Sequence, residues 1–318
     1  MADTTYQPKV YRKQGGDVMV IAAGGQILVE PGGSVMGGNP TGAADYFVDL
    51  NVSATGDGSI NSPFATIAEA ITASNTSIGL TANRWWARRN RIFVMGDGID
   101  EDLTVLPEKC DIIGCGSDLL PFPRIIGNHA FAAAAVGVRF INLGFSTSAT
   151  GDLMSFVAAC HGLQILYCFM YPGTTSAKAL EITDSAHVRL IGNEITVGAG
   201  NMAAIFGVGI SIEGKDSIHD TVIAGNRITS TVGVAVVEAT AAAMGSRIED
   251  NYIRATGLTI DDNSDDFQVI NNILISDAAS DGSGTDAVVD CNIQLAAGNR
   301  VTSSDHVNAP FPIQGTLA

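Results

Sequence analysis

Six consecutive residues, Asp261-Asp262-Asn263-Ser264-Asp265-Asp266, bring four carboxylates together. Glycoside hydrolysis needs two carboxyls held roughly 5 to 10 Å apart, one as acid and the other as base or nucleophile. Asp262 and Asp266 are therefore the candidate catalytic pair. No Gly-His-Gly follows the run, and no Arg-x-Lys stands elsewhere to hold a substrate carboxylate. A solvated turn between two strands explains the same residues. Their spacing is not that of an EF-hand loop, so no metal and no cofactor is assigned.

The other reactive residue types are scattered. None of His129, His161, His187, His219 and His306 stands in a nucleophile motif with Ser or Cys, and they are read as surface or bend residues. Cys110, Cys115, Cys160, Cys168 and Cys291 form no CxxC pair, and most lie in apolar runs where Cys behaves as a small hydrophobe. They are expected as reduced core residues. Gly-x-Gly triplets occur without the Lys-Ser/Thr of a phosphate loop and are read as bends. Trp85-Trp86-Ala-Arg88-Arg89 holds both tryptophans of the chain. Two readings stay open there: a contact patch for a partner protein or a sugar ring, or aromatics that close one end of the fold while the arginines face water.

Charge and hydropathy exclude several partners. The 318 residues carry a net charge of −16, and from Asp261 onward nine acids face one base, Arg300. Nucleic acid is not expected as a partner, because phosphate recognition needs clustered Lys and Arg. No run of about 18 uncharged apolar residues occurs, and the first residues lack the basic and apolar regions of a signal peptide, so no membrane contact is expected. Low charge (16%) with 36 glycines suits a repetitive β architecture with tight bends.

The elements divide into four segments. Residues 1–44 carry Gly-Gly pairs at 15, 24, 32 and 37, with alternating runs Asp17–Ile21 and Gln26–Glu30 between them. These are strands of an attachment or oligomerisation stem. Residues 45–90 form a cap: a strand at Asp45–Asp49, then a helix with Ser62 as N-cap, Pro63 at its first position and a stripe of Phe64, Ile67, Ala68 and Ile71. Residues 91–308 consist of short β runs: Ile92–Val94, Leu103–Val105, Asp111–Ile113, Arg124–Ile126 and Val138–Ile141 come first. An Asn then recurs in an apolar frame at Asn193, Asn226, Asn251, Asn272 and Asn299, at gaps of 33, 25, 21 and 27 residues. One circuit per Asn, with the amide at a left-handed bend and bonded to its neighbours above and below, predicts a single-stranded right-handed parallel β-helix. Residues 309–318 are a tail.

Ser62-Pro-Phe-Ala-Thr-Ile67, Arg91-Ile-Phe-Val94, Leu103-Thr-Val105 and Ile112-Ile-Gly-Cys-Gly116, followed by the Asn-x-Ile coils, resemble the pectin-lyase-like family of right-handed β-helices over residues 45 to about 302. The resemblance implies the fold and leaves the function open, since the family holds polysaccharide lyases, hydrolases and inert viral spikes. Tyr6-Gln-Pro-Lys-Val-Tyr11-Arg12-Lys13-Gln-Gly-Gly-Asp17 is similar to the opening of tailed-bacteriophage virion proteins, notably head-decoration and head-fibre proteins. That second resemblance implies a homotrimeric particle component, assembled in the host cytoplasm and located in the virion. Its N-terminus would contact the major capsid protein or another virion protein, with Tyr6, Tyr11, Arg12 and Lys13 as attachment residues. The expectation is a non-enzymatic structural protein. The alternatives are a tailspike-type polysaccharide depolymerase and a passive spike that binds host surface glycan.

Overall fold

The computed structural model describes residues 10–12, 19–21, 43–79, 89–116, 123–198, 203–214, 220–238, 246–257, 260–262, 268–276, 281–282, 288–290 and 293–296. The chain divides into two compact units, Met1–Asn39 and Pro40–Ala318. In the first, Val10–Arg12 pairs antiparallel with Met19–Ile21, Val10 opposite Ile21. The expected strand at Asp17–Ile21 is thus present in its second half; Gln26–Glu30 lies outside the described residues.

The second unit is a parallel β-helix. Successive strands fall in turn on three sheets, named here faces I, II and III, of ten, nine and seven strands. One circuit runs Arg139–Ile141 on face I, Gly144–Ser146 on face II and Met154–Phe156 on face III, then returns to face I at Gln164–Leu166. Each strand pairs in parallel with its counterpart one circuit earlier, as Phe140 does with Ile112 below and Ile165 above. A right-handed sense is the one strand twist favours for parallel crossovers.

Three-residue strands suffice because each face needs one inward side chain per coil. On face I these are Ile112, Phe140, Ile165, Leu190, Ile223 and Ile248; on face II, Ile125, Phe145, Met170, Ile195, Ile228 and Ile253. All twelve are fully buried. Face III continues the pattern with Phe131 stacked on Phe156, ring centroids 4.9 Å apart, and then Ile182, Ile212 and Val236. Each such side chain contributes about 1.5–3 kcal/mol by leaving water.

Faces I and II meet at a two-residue bend, and there the asparagines stack. Asn193, Asn226, Asn251 and Asn272 are all buried. The backbone N–H and the Nδ2 of Asn193 both donate to Asn226 Oδ1 (2.9 and 3.0 Å), those of Asn226 to Asn251 Oδ1 (2.9 and 2.9 Å), and those of Asn251 to Asn272 Oδ1 (3.0 and 3.0 Å). Each Nδ2 also donates to a carbonyl of the preceding coil, Asn226 to Leu190 at 2.8 Å for example. Every polar atom of the amide is therefore matched.

Four details differ from the sequence expectations. The left-handed residue is the one before each ladder Asn: Gly192 (φ 66°), Gly225 (φ 62°), Asp250 (φ 56°) and Asn271 (φ 55°). The amide itself must point inward, and its predecessor makes the turn. Next, Val288–Asp290 pairs with Gln268–Ile270, and Ile293–Ala296 with Ile273–Ser276, which puts the bend after that of Asn272 between Asp290 and Ile293. Asn299, the amide expected for that coil, lies outside the described residues. Leu103–Val105 is not a strand, for the Leu103 amide donates to the His129 imidazole at 3.1 Å, and Val105 is exposed.

The helix is also displaced. It spans Ile67–Ile78, with Thr66 as N-cap in a reciprocal capping box with Glu69. Ser62–Phe64 is instead extended, and Phe64 bridges Val48. Thr-x-x-Glu satisfies two amides that Ser62 and Pro63 leave open. The Glu101 carboxylate adds to this cap, accepting from the Ile67 and Ala68 amides at 3.0 and 2.8 Å. The buried stripe is Ile67, Ala70, Ile71, Ser74 and Ile78, and Ala68 faces outward. Tyr46 donates to Ala73 C=O, and Asn90 Nδ2 to Ser74 and Ser77, which seats the helix beside the first face I strands.

Candidate functional site

Of the acidic pair, Asp262 ends the face III strand Ile260–Asp262, aligned with Val236 and Gly282; Asp266 lies outside the described residues. So do Tyr6, Lys13, Trp85, Trp86 and Arg88, while Tyr11 and Arg12 belong to the paired strand Val10–Arg12. Arg89 is held in place: its guanidinium donates to Asp111 at 2.7 Å and to Gly137 C=O at 3.0 Å. It acts as a tie across three coils, with Arg139 3.7 Å from the same carboxylate.

The histidines and cysteines divide by environment. His129, expected at a surface or bend, is buried in the inward face III row, edge-on to Phe145 at 5.6 Å. Burial lowers its pKa from 6.5 to about 4, so the ring is neutral, and its buried Nε2 has no hydrogen-bond partner. His161 accepts from the Ala186 amide, and exposed His187 sits 3.2 Å from Asp220. Cys110, Cys160 and Cys168 are buried free thiols whose pKa burial pushes up to about 12, 11 and 12. Cys115 departs from the expected core placement and is exposed; Cys291 lies outside the described residues.

One cluster escaped the sequence reading. On the outer surface of face III, strand pairing aligns Ser155, Glu181 and Ser211 on successive coils, and Thr183 with Glu213. Two successive buried residues, Ala179 and Leu180, break the in-out alternation and bring Lys178 and Glu181 to the same side. Lys178 Nζ then donates to Glu181 and, at 2.9 Å, to Glu213, while Ser155 Oγ donates to the other oxygen of Glu181. Asp152 completes the group. Its buried Oδ1 meets no donor, and its carboxyl lies in the field of Glu181 and Lys178.

Neighbouring carboxylates resist being ionised together, so the environment of each decides which is protonated first. Burial, reinforced by the charge of Glu181, raises Asp152 above the ordinary carboxylate range. Burial alone would raise Glu181 too, but the bonds from Lys178 and Ser155 outweigh it and hold Glu181 low. Of the two, Asp152 takes up a proton first as pH falls, while Lys178 and Ser155 keep Glu181 ionised. Asp261 stands on the same row as Glu181 but three coils further, about 14 Å away at a strand step of about 4.8 Å. Only the pattern Lys178-Ala-Leu-Glu181 hinted at this cluster; its members belong to different coils and no local spacing joins them.

Among the described residues no group of three or more His, Cys, Asp or Glu is placed to hold a metal ion, and no helix is long and apolar enough to cross a membrane. Compared with known proteins, the chain matches no protein-family model, no curated protein and no solved structure.

Proposed function

We propose that the chain is a structural component of a tailed-phage particle, a homotrimeric capsid decoration or head fibre. Its β-helix is displayed, and its N-terminal unit binds the major capsid protein. The observation that carries this reading is the division of the chain: a small unit, Met1–Asn39, has its own antiparallel strand pair, while the solenoid is internally complete in core and ladder. A self-sufficient solenoid leaves the stem free to serve as an anchor. The resemblance of residues 6–17 to virion proteins supplies the partner. Purified particles lacking the protein are mixed with the full chain or with a chain lacking residues 2–40. The full chain is expected to co-sediment with particles and the truncated chain to stay in the supernatant; equal co-sedimentation refutes the anchor.

The face III cluster favours a second reading, a spike that cleaves or binds host surface glycan, with Asp152 as acid and Lys178 as a contact to anionic sugars. Incubation with host polysaccharide decides it. Release of oligosaccharide by the intact chain, lost in Asp152→Asn and Glu181→Gln, supports cleavage. Release that survives both changes but fails in Asp262→Asn and Asp266→Asn returns the chemistry to the acidic run.

A further inference from the structure

The outer surface of face I breaks the expected alternation of apolar and polar residues. Ile92, Ile112, Phe140, Ile165, Leu190 and Ile223 point inward and are fully buried. The next residue on each strand points outward. Those six outward positions are Phe93, Ile113, Ile141, Leu166, Ile191 and Ala224, brought into one column by strand pairing. All are partly accessible, and Phe47 lengthens the column with a ring stacked on Phe93 at 5.3 Å. Glu249 ends the uninterrupted run. A solvated sheet face would carry polar residues here, and a long exposed apolar stripe marks a contact surface.

The column beside it carries an arginine on every second coil. Arg91, Arg139, Arg189 and Arg247 stand there with Asp111, Gln164 and Val222 between them, in a chain whose net charge is −16. Arg91 is paired with Asp45, Arg139 lies near Asp111 and Arg247 near Glu249, whereas exposed Arg189 has no ion-pair partner among the described residues. The matching surface must offer a carboxylate to Arg189 and must repeat with the step of the apolar column, about 4.8 Å. An α-helix laid along the stripe repeats every 5.4 Å and slips about 3.6 Å over six steps, most of one repeat. A second solenoid of this chain does not slip, and its face III offers the carboxylates of Glu181 and Glu213 on successive coils, two acids that share the single cation Lys178.

We propose that face I is the contact with a second copy of this chain, set parallel and in register, its arginine-flanked apolar stripe against the acidic face III of the neighbour. Such a contact joins two different surfaces and closes into a ring when the rotation allows. It rests on the homotrimer proposed above only for the number of copies. Arg189 and Glu213 belong to strands of the same coil, so copies at equal height bring them level.

The test uses the full-length chain at micromolar concentration with the photoreactive p-benzoyl-phenylalanine in place of Leu166. The expected results are a sedimentation mass of three times 32.9 kDa and, on illumination, cross-linked chains whose joined peptides map to residues 176–183 and 206–214. Arg189→Glu together with Ile191→Lys is expected to lower cross-link yield at least tenfold while circular dichroism keeps the strand signal. If the double variant unfolds, Arg189→Glu alone takes its place. A trimeric mass with no cross-link from position 166, or with cross-links to other peptides, overturns the face I contact and leaves the trimer standing. A monomeric mass overturns both.

Discussion

Replacing Asn226 by Leu removes one rung from the middle of the amide ladder while keeping the same branched skeleton. The chain itself places Leu143 at the corresponding bend of an earlier coil, so the shape is tolerated there. Polar matching is what changes. Asn193 N–H loses the oxygen it donates to at 2.9 Å, and Leu190 C=O loses the amide that reaches it at 2.8 Å. Each buried group left without a partner costs about 1–3 kcal/mol, so the pair costs about 4 kcal/mol. In a solenoid each coil contacts only its neighbours, and the loss is concentrated there. Hydrogen exchange read by mass spectrometry on the peptides around Asn193 and Asn226 is expected to speed up about 1000-fold, with the coil at 139–146 little changed. Asn226→Asp sharpens the test. A carboxylate in that place faces two acceptors, Leu190 C=O and Asn251 Oδ1. Protonation restores a donor, so this variant is expected to gain stability relative to the parent chain as pH falls. A change below about 1 kcal/mol in the Leu variant, or no gain on acidification in the Asp variant, refutes the reasoning.

His129 has a folded pKa of about 4 against 6.5 in an open environment, so between those values the unfolded chain binds a proton that the folded chain does not. Its contribution is complete above pH 6.5 and is lost as pH falls toward 4, a difference of about 3 kcal/mol. His129→Met, compatible with Met154 next in the row, is expected to flatten that part of the urea-denaturation profile. Thr66→Ala removes the acceptor of the Glu69 amide and is expected to cost about 1 kcal/mol in the same assay. Brief maleimide labelling of the native protein at pH 8 is expected to modify Cys115 and to spare Cys110, Cys160 and Cys168, as read by peptide mass spectrometry. Gly192→Ala places a side chain at a left-handed φ of 66° and 2.6 Å from the Tyr167 ring, and is expected to cost about 1–2 kcal/mol in thermal melts.

The sequence made the coils readable because two constraints recur in every circuit. An inward apolar residue is flanked by bend residues, and an amide must satisfy a buried corner. The reading failed where other residues meet the same constraint. Leu143 and Cys168 hold the ladder column without an amide, and the Asn193 oxygen ends the ladder by accepting from the Cys168 amide at 2.9 Å. Gly298-Asn299-Arg300 copies the pattern Gly225-Asn226-Arg227 letter for letter, yet strand pairing has already placed the bend before Ile293. The helix start was misplaced because Ser62-Pro63 resembles a cap locally, whereas Thr66 and Glu69 close the box. The face III cluster stayed hidden for a different reason. Asp152, Glu181 and Glu213 are separated by 29 and 32 residues, and unequal corner lengths decide which of them meet.

Those unequal corners have a further consequence. From the coil of Arg139–Ile141 onward the bend between faces I and II is always two residues, whereas the corner between faces II and III holds ten residues after Ile195 and one after Ser230. The amide column thus works as a ruler that resets the winding once per circuit, whatever length has been added elsewhere. A foreign peptide grafted between Ile195 and Phe206 would be carried at a fixed height along the solenoid axis. Grafts at several levels would then stand at known multiples of a single strand spacing, which makes the architecture a graduated scaffold for display.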